Sequence, residues 1–152
     1  MTENHAIQQE IRVQASPQKV FEALTRKEAL ESWFPSQVES DPRPGGSYTY
    51  VFKYPDPEQG GTQTGKYVQV EPARRVSYTW EAAGVETQVD FRLRADQGAT
   101  LVSLEHAGFG GPEPEKVRAM HEQVWGVYLQ NLKSFLEQGV DNRTAGMGQI
   151  TR

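Results

Sequence analysis

The stretch SYTYVFKY, residues 47–54, decides the fold class. Tyr48, Tyr50, Phe52 and Tyr54 alternate with Thr49, Val51 and Lys53. Side chains of an extended chain alternate between faces, so the four rings share one face of a strand. Downstream the same period continues. Gly65 to Glu71 reads as the next strand and Pro72-Ala73-Arg74 as a turn. Val76, Tyr78 and Trp80 share a face, and Ala83-Gly84 turns the chain. Thr87, Val89, Phe91 and Leu93 follow, alternating with Gln88, Asp90, Arg92 and Arg94. Asp96-Gln97-Gly98 is another hairpin turn, and Thr100, Val102, Leu104 and His106 form the last inward face. Five consecutive strands with short turns predict an antiparallel meander.

From Glu113 the period becomes helical. Val117, Met120, His121, Val124, Trp125, Tyr128, Leu129, Leu132, Phe135 and Leu136 recur at three- and four-residue spacing, and Gly139 is placed to end the helix. Val140 to Arg152 has no period and reads as a mobile tail beyond a domain of residues 1–139. Upstream of the aromatic strand, Ile7, Gln9, Ile11 and Val13 predict a first strand ending near Gln14. Ser16 and Pro17 suit a helix start, with Val20, Phe21 and Leu24 as its apolar face. Thr25 and Glu28 have the spacing of a capping box for a second short helix, which buries Leu30, Trp33 and Phe34 and which Pro35 ends. Pro55 to Thr62 reads as a polar loop. The fold class is therefore α+β: a curved antiparallel sheet, two short helices after the first strand and one long C-terminal helix.

Composition narrows the function. A chain of 152 residues suits one soluble domain. It has no cysteine, so disulfides, thiolate metal sites and a cysteine nucleophile are excluded. That fits a reducing compartment, and we expect a cytoplasmic protein. Met1 to Gln9 shows no basic region followed by an apolar run, so no signal peptide is expected. No apolar stretch approaches the ~20 residues of a membrane span. The net charge is −4 and the Lys and Arg residues are scattered, which speaks against a nucleic-acid partner.

A helix is about 10 Å across and neighbouring strands lie about 4.8 Å apart, so one helix covers only two or three strands. A curved sheet gripping a single helix then leaves room at one end for a guest. Face assignment nominates Trp33, Phe34, Tyr48, Tyr50, Phe52, Trp80, Phe91, His106, His121, Val124, Trp125 and Tyr128 as its lining.

Six fragments, in order, carry a resemblance: ASPQKVFEAL at 15–24 with Trp33-Phe34, RPGG at 43–46, GKYVQVEP at 65–72, RVSYTW at 75–80, TLVSLEHAGF at 100–109, and Trp125 with NLKSFLE at 131–137. Together they resemble the START-like (Bet v 1-like, SRPBCC) superfamily, in the branch related to the activator of Hsp90 ATPase. The resemblance implies a helix-grip fold, with a seven-stranded antiparallel sheet around the C-terminal helix and a hydrophobic cavity between them. It supplies no reaction, because members include carriers, receptors and cyclases. The chain has no room for the additional N-terminal domain of the eukaryotic co-chaperone, which makes a chaperone contact doubtful.

His106 and His121 have the positions to converge at the pocket mouth, where imidazole acts as base or ligand. The reading preferred here is that His106 is a satisfied core histidine and His121 lies at the solvent edge. Two histidines without a third ligand make no zinc set, so we expect no metal and no cofactor. Asp90 and Glu105 read as solvated, Arg74-Arg75 as an exposed pair, and Gly108 to Gly111 as a flexible link on which Phe109 could act as a lid. The first expectation is a binder of a small, largely hydrophobic or aromatic molecule. A cyclase- or hydrolase-like enzyme using His106, His121 and a tyrosine is the second, and a protein-interaction module, chaperone-associated or homodimeric, the third.

Overall fold

In the computed structural model, residues 6–56 and 60–147 are described. The parts of the expected leader (1–5), polar loop (57–59) and tail (148–152) that lie outside those ranges are not. Seven strands form one curved antiparallel sheet: β1 Ile7–Val13, β2 Gln37–Ser40, β3 Ser47–Phe52, β4 Gly61–Glu71, β5 Arg75–Ala82, β6 Val85–Asp96 and β7 Ala99–Ala107. Their order is β1-β7-β6-β5-β4-β3-β2. Helices α1 Pro17–Thr25 and α2 Lys27–Glu31 follow β1; α3 Pro114–Gln138 is the long helix, and α4 Arg143–Met147 comes last.

Local chemistry sets the meander. Ala82 pairs with Val85 and Asp96 with Ala99, leaving two-residue turns. Both central residues of each turn have positive φ (Ala83 and Gly84, Gln97 and Gly98), the conformation whose twist matches that of the flanking strands. The sheet bends at β4, which pairs with β3 through Gly61 to Lys66 and with β5 from Tyr67 onward, past a bulge between Tyr67 and Gln69. The opposite halves of β4 and β5 splay apart, and side chains bridge the gap. Lys66 N donates to Thr79 Oγ1 at 3.0 Å. The Gln63 amide accepts from Glu81 N at 2.7 Å and donates to Glu81 O at 3.0 Å. Tyr48 Oη donates to Thr79 O. Gly65 lies under the Tyr48 ring, and a Cβ there would stand 2.8 Å from that ring and 2.7 Å from Thr79 O.

The sheet edges are covered by polar side chains, as unpaired strand edges require. On β2, Val38 N donates to Glu31 Oε2 and Val38 O accepts from Lys27 Nζ, both at 2.9 Å. On β1, Gln9 Nε2 donates to Glu122 O and Lys133 Nζ to Arg12 O, which docks α3 along that edge.

Several local expectations are corrected. Thr25 does not cap the second helix. It is the last residue of α1, its hydroxyl donates to Phe21 O, and α2 starts after an extended Arg26 with no side-chain cap. Helix α2 stops at Glu31, four residues before Pro35. Strand β2 was not foreseen from the residues, and β4 begins at Gly61, inside the expected loop. Asp90 is buried rather than solvated, and Arg75 is not an exposed arginine: it forks onto Asp90 at 2.9 and 3.2 Å, while Arg92 adds a third bond at 2.9 Å. Within the expected tail, the described residues 141–143 are bonded to the body. Arg143 donates to the carbonyls of Glu31, Phe34 and Pro35, and Asn131 Nδ2 donates to Asp141.

Gly65→Ala forces a methyl against a carbonyl and a packed ring, so it is expected to lower stability by about 2–3 kcal/mol. Urea unfolding checks this. A change within 0.5 kcal/mol would mean the close approach of β4 and β5 has been misread.

Candidate functional site

The inner face of the sheet is paved with rings in two groups that meet at Phe34. Tyr48, Tyr50, Tyr67 and Tyr78 form the first group, with neighbouring centroids 4.3 to 6.2 Å apart. Tyr50 and Tyr67 share a hydrogen bond at 3.1 Å, and burial holds all four hydroxyls above their ordinary pKa, hence neutral. Phe34 touches Tyr50, Phe52, Trp80, Trp125 and Tyr128, with centroids 4.7 to 6.2 Å apart.

The second group lies toward the glycine-rich link. Its contacts run from Phe52 to Trp80 (6.3 Å), Trp80 to His106 (6.3 Å), His106 to Phe109 (4.6 Å) and Phe109 to His121 (5.5 Å) on α3, while Tyr128, seven residues further along α3, meets Phe52 (6.1 Å). Phe52, Tyr54, Trp80, Phe109, His121 and Val124 are only partly buried, whereas Phe34, Trp125 and Tyr128 beneath them are buried. Tyr54 and Tyr128 join their hydroxyls across the gap between the end of β3 and α3. The result is a half-open aromatic rim above a closed aromatic floor.

A polar relay crosses this floor. His106 is 0% exposed. Trp125 Nε1 donates to His106 Nδ1 at 3.0 Å, and His106 Nε2 lies 2.7 Å from Thr87 Oγ1. An indole N–H only donates, so Nδ1 must be the acceptor and Nε2 must carry the proton. Thr87 then accepts from Nε2 and passes its own proton to Trp80 O at 2.7 Å. Burial, with a smaller repulsion from His121, lowers the His106 pKa to about 3. His106 therefore has no free lone pair with which to act as a base. His121 Nδ1 faces Val117 O at 2.8 Å and is the proton donor of that bond, while its Nε2 has no partner among the described residues. Burial lowers the His121 pKa as well.

Of the nominated lining residues, Phe34, Phe52, Trp80, His106, His121, Val124, Trp125 and Tyr128 come together at rim and floor. The other four lie elsewhere. Trp33 ties α1 down through a 2.7 Å bond from Nε1 to Ala23 O, Phe91 lies beyond Trp125 at 5.7 Å, and Tyr48 and Tyr50 belong to the tyrosine group. Tyr54, Tyr67, Tyr78 and Phe109 were not nominated. Tyr54 and Tyr78 were legible in the alternation; Tyr67 precedes the bulge that breaks it.

The comparisons with known proteins agree with this architecture. Residues 14–137 match the model of the family described as activator of Hsp90 ATPase homolog 1-like protein. The chain belongs to that family. No curated protein matches it. Among solved structures, protein MLL2253 from Mesorhizobium loti is 23% identical with a TM-score of 0.76, aligned over 89% of this chain and 98% of that one. The Aha1 dimer from Colwellia psychrerythraea is 24% identical, with a TM-score of 0.71 over 88% and 97%. CalU16 from Micromonospora echinospora is 25% identical, with a TM-score of 0.74 over 95% and 81%. These structures share the fold of this chain.

The outer face of the sheet differs in kind. Three grooves there, of about 510, 630 and 410 Å³, are lined mostly by polar side chains such as Gln8, Lys66 and Arg92, and Tyr48 and Trp80 also border the second. Among the described residues, the exposed large hydrophobic ones are Val68 on β4, Met120 on α3 and Val140 in the link after α3. Among the described residues, no group of three His, Cys, Asp or Glu side chains is placed to hold a metal, and no helix is long and apolar enough to cross a membrane.

Two outcomes are expected for the relay. In NMR spectra the His106 ring stays neutral, as the Nε2–H tautomer, down to at least pH 5. Unfolded histidine binds a proton near pH 6.5, whereas folded His106 resists it until about 3. Its contribution to stability is thus complete above about pH 6.5 and declines as pH falls toward 3. A His106 signal titrating near 6.5 in the folded chain would refute the assignment. Thr87→Val leaves the His106 N–H buried without an acceptor and is expected to cost about 1–3 kcal/mol in thermal unfolding, with a loss below 0.5 kcal/mol counting against the relay.

Proposed function

We propose that this chain binds a small, largely hydrophobic or aromatic molecule between the sheet and α3, entering at the aromatic rim. The observation that carries the reading is the rim itself, where Phe52, Trp80 and Phe109 remain partly open above the buried rings of Phe34, Trp125 and Tyr128. Aromatic surface packed on one side and open on the other gains free energy when a flat apolar guest covers it, at roughly 25 cal/mol per Å². The polar outer face makes the rim the best apolar contact area among the described residues. Membership of the family is consistent with this use of the fold, although fold alone names no guest. Catalysis receives less support, because both nitrogens of His106 are engaged within the protein and the buried tyrosines are neutral. A chaperone-docking role receives less support, because the large hydrophobic residues exposed among the described residues, Val68, Met120 and Val140, lie apart in the sequence. Self-association is kept in the proposal because the relative from Colwellia psychrerythraea is described as a dimer. A cytoplasmic setting is kept because the chain has no cysteine.

A thermal-shift screen of neutral apolar and aromatic compounds tests the reading. At least one compound at 100 times its Kd should stabilise the chain by about 2.7 kcal/mol, and the shift should shrink when Val124→Glu places a carboxylate on the partly open face of α3. A broad screen with no stabilising compound, or a shift that Val124→Glu leaves unchanged, would overturn it.

A further inference from the structure

The chain downstream of α3 is tied to the segment that carries Phe34. That segment, residues 32–35, links α2 to β2. Its carbonyls find their partners outside it. Arg143 donates to Glu31 O at 2.6 Å, to Phe34 O at 2.9 Å and to Pro35 O at 2.7 Å. The buried Asn131 of α3 donates from Nδ2 to Trp33 O at 2.9 Å and to Asp141 Oδ1 at 2.8 Å, and its Oδ1 accepts from Asn142 N. Asp141 also accepts from Arg143 Nε at 3.0 Å. Asp141, Asn142 and Arg143 thus form one hydrogen-bonded unit that clamps the Phe34 segment onto α3.

The clamp is polar and shallow. From Gly139 to Ala145 every residue is exposed except Arg143, which is partly buried. No apolar side chain of that stretch adds burial, and its bonds compete with water. A segment held in this way opens locally at a lower cost than the whole chain unfolds. When it opens, the carbonyls of Glu31, Phe34 and Pro35 lose Arg143. The clamp also stands beside the Tyr54–Tyr128 bridge. Burial raises the pKa of both tyrosines, and the charges of Arg143 and Asp141 act on both hydroxyls with opposite sign. What the clamp holds is the ring where the two aromatic groups meet, since Phe34 touches Tyr50 on one side and Phe52, Trp80, Trp125 and Tyr128 on the other.

We propose that residues 141–143 are a latch whose release lets Phe34 swing out from between the two ring groups, and that a guest entering at the rim takes the place Phe34 vacates. The part played by the guest rests on the binding reading above; the latch itself does not. Association is then limited by the fraction of molecules whose latch is open.

Native-state hydrogen exchange of the ligand-free full chain tests the latch. The Asn142 and Phe34 amides should exchange together through an opening that low urea barely affects, whereas amides of the central strand β6 wait for global unfolding. In Arg143→Ala, exchange at Phe34 should rise about tenfold, with β6 amides changed by less than about threefold. Naphthalene, a neutral apolar probe, tests the gate by stopped-flow tryptophan fluorescence. Its association rate should rise in Arg143→Ala by the same factor as the exchange at Phe34, because one opening governs both. A Phe34 amide that exchanges only with β6 in the wild type overturns the latch, and that measurement needs no variant. So does exchange at Phe34 that Arg143→Ala leaves unchanged. Faster exchange with an unchanged association rate overturns the gate while leaving the binding reading intact. Failure of naphthalene to bind either form removes the gate and the binding reading together.

Discussion

One helix must cover the concave face of a seven-stranded sheet, and it is too narrow to do so. The chain meets that constraint with large rings, beside the buried Val20, Ala23 and Leu24 of α1, which packs against β5, β6 and β7. Tyrosines of β3, β4 and β5 fill the side farther from the rim, Phe34 comes in from the segment after α2, and Trp125 and Tyr128 reach down from α3. Rings suit the task because each buries a large area with few rotatable bonds. Their coverage thins toward the glycine-rich link, where Phe52, Trp80 and Phe109 are left half open.

Such a core carries polar tips that must be satisfied, and their solutions organise the rest of the fold. Tyr48 reaches the Thr79 carbonyl, which needs the gap between β4 and β5 and the absence of a side chain at Gly65. Trp125 reaches His106, and through Thr87 the relay ends on the backbone of Trp80. Helix and sheet are therefore joined by directional bonds as well as by area. The same relay withdraws His106 from chemistry, so a residue type that invites a catalytic reading has a structural task here. Trp80, whose backbone ends the relay, has an indole Nε1 without a partner among the described residues.

The period-two aromatics of residues 48–54 and the helical stripe from 117 were enough to read the α+β class and the antiparallel meander. The seven-strand count came from the resemblance; the residues alone missed β2, because four residues, QVES, give too short an alternation to register. Parity placed Asp90 on the outer face correctly but could not say that Arg75 and Arg92 would fold over it and bury it. The bulge at Tyr67 broke the alternation, so that ring was not nominated. Thr25 and Glu28 had capping-box spacing, yet α1 runs one residue further and takes Thr25 with it. For the site, side-chain direction was legible and partnership was not. Thr87, His106 and Trp125 are 19 residues apart along the chain at each step, and only the fold makes them neighbours.

The most direct test of the account is where a bound aromatic compound perturbs the protein. In an NMR titration with a neutral aromatic ligand, ring signals of Phe52, Trp80, Phe109 and Tyr128 and the methyl signals of Val124 should shift together along one saturating curve. Signals of Arg92 and Glu105 on the outer face should stay in place. Saturable shifts confined to the outer face, with the rim unmoved, would contradict the claim that the half-open aromatic surface is where this chain receives its guest.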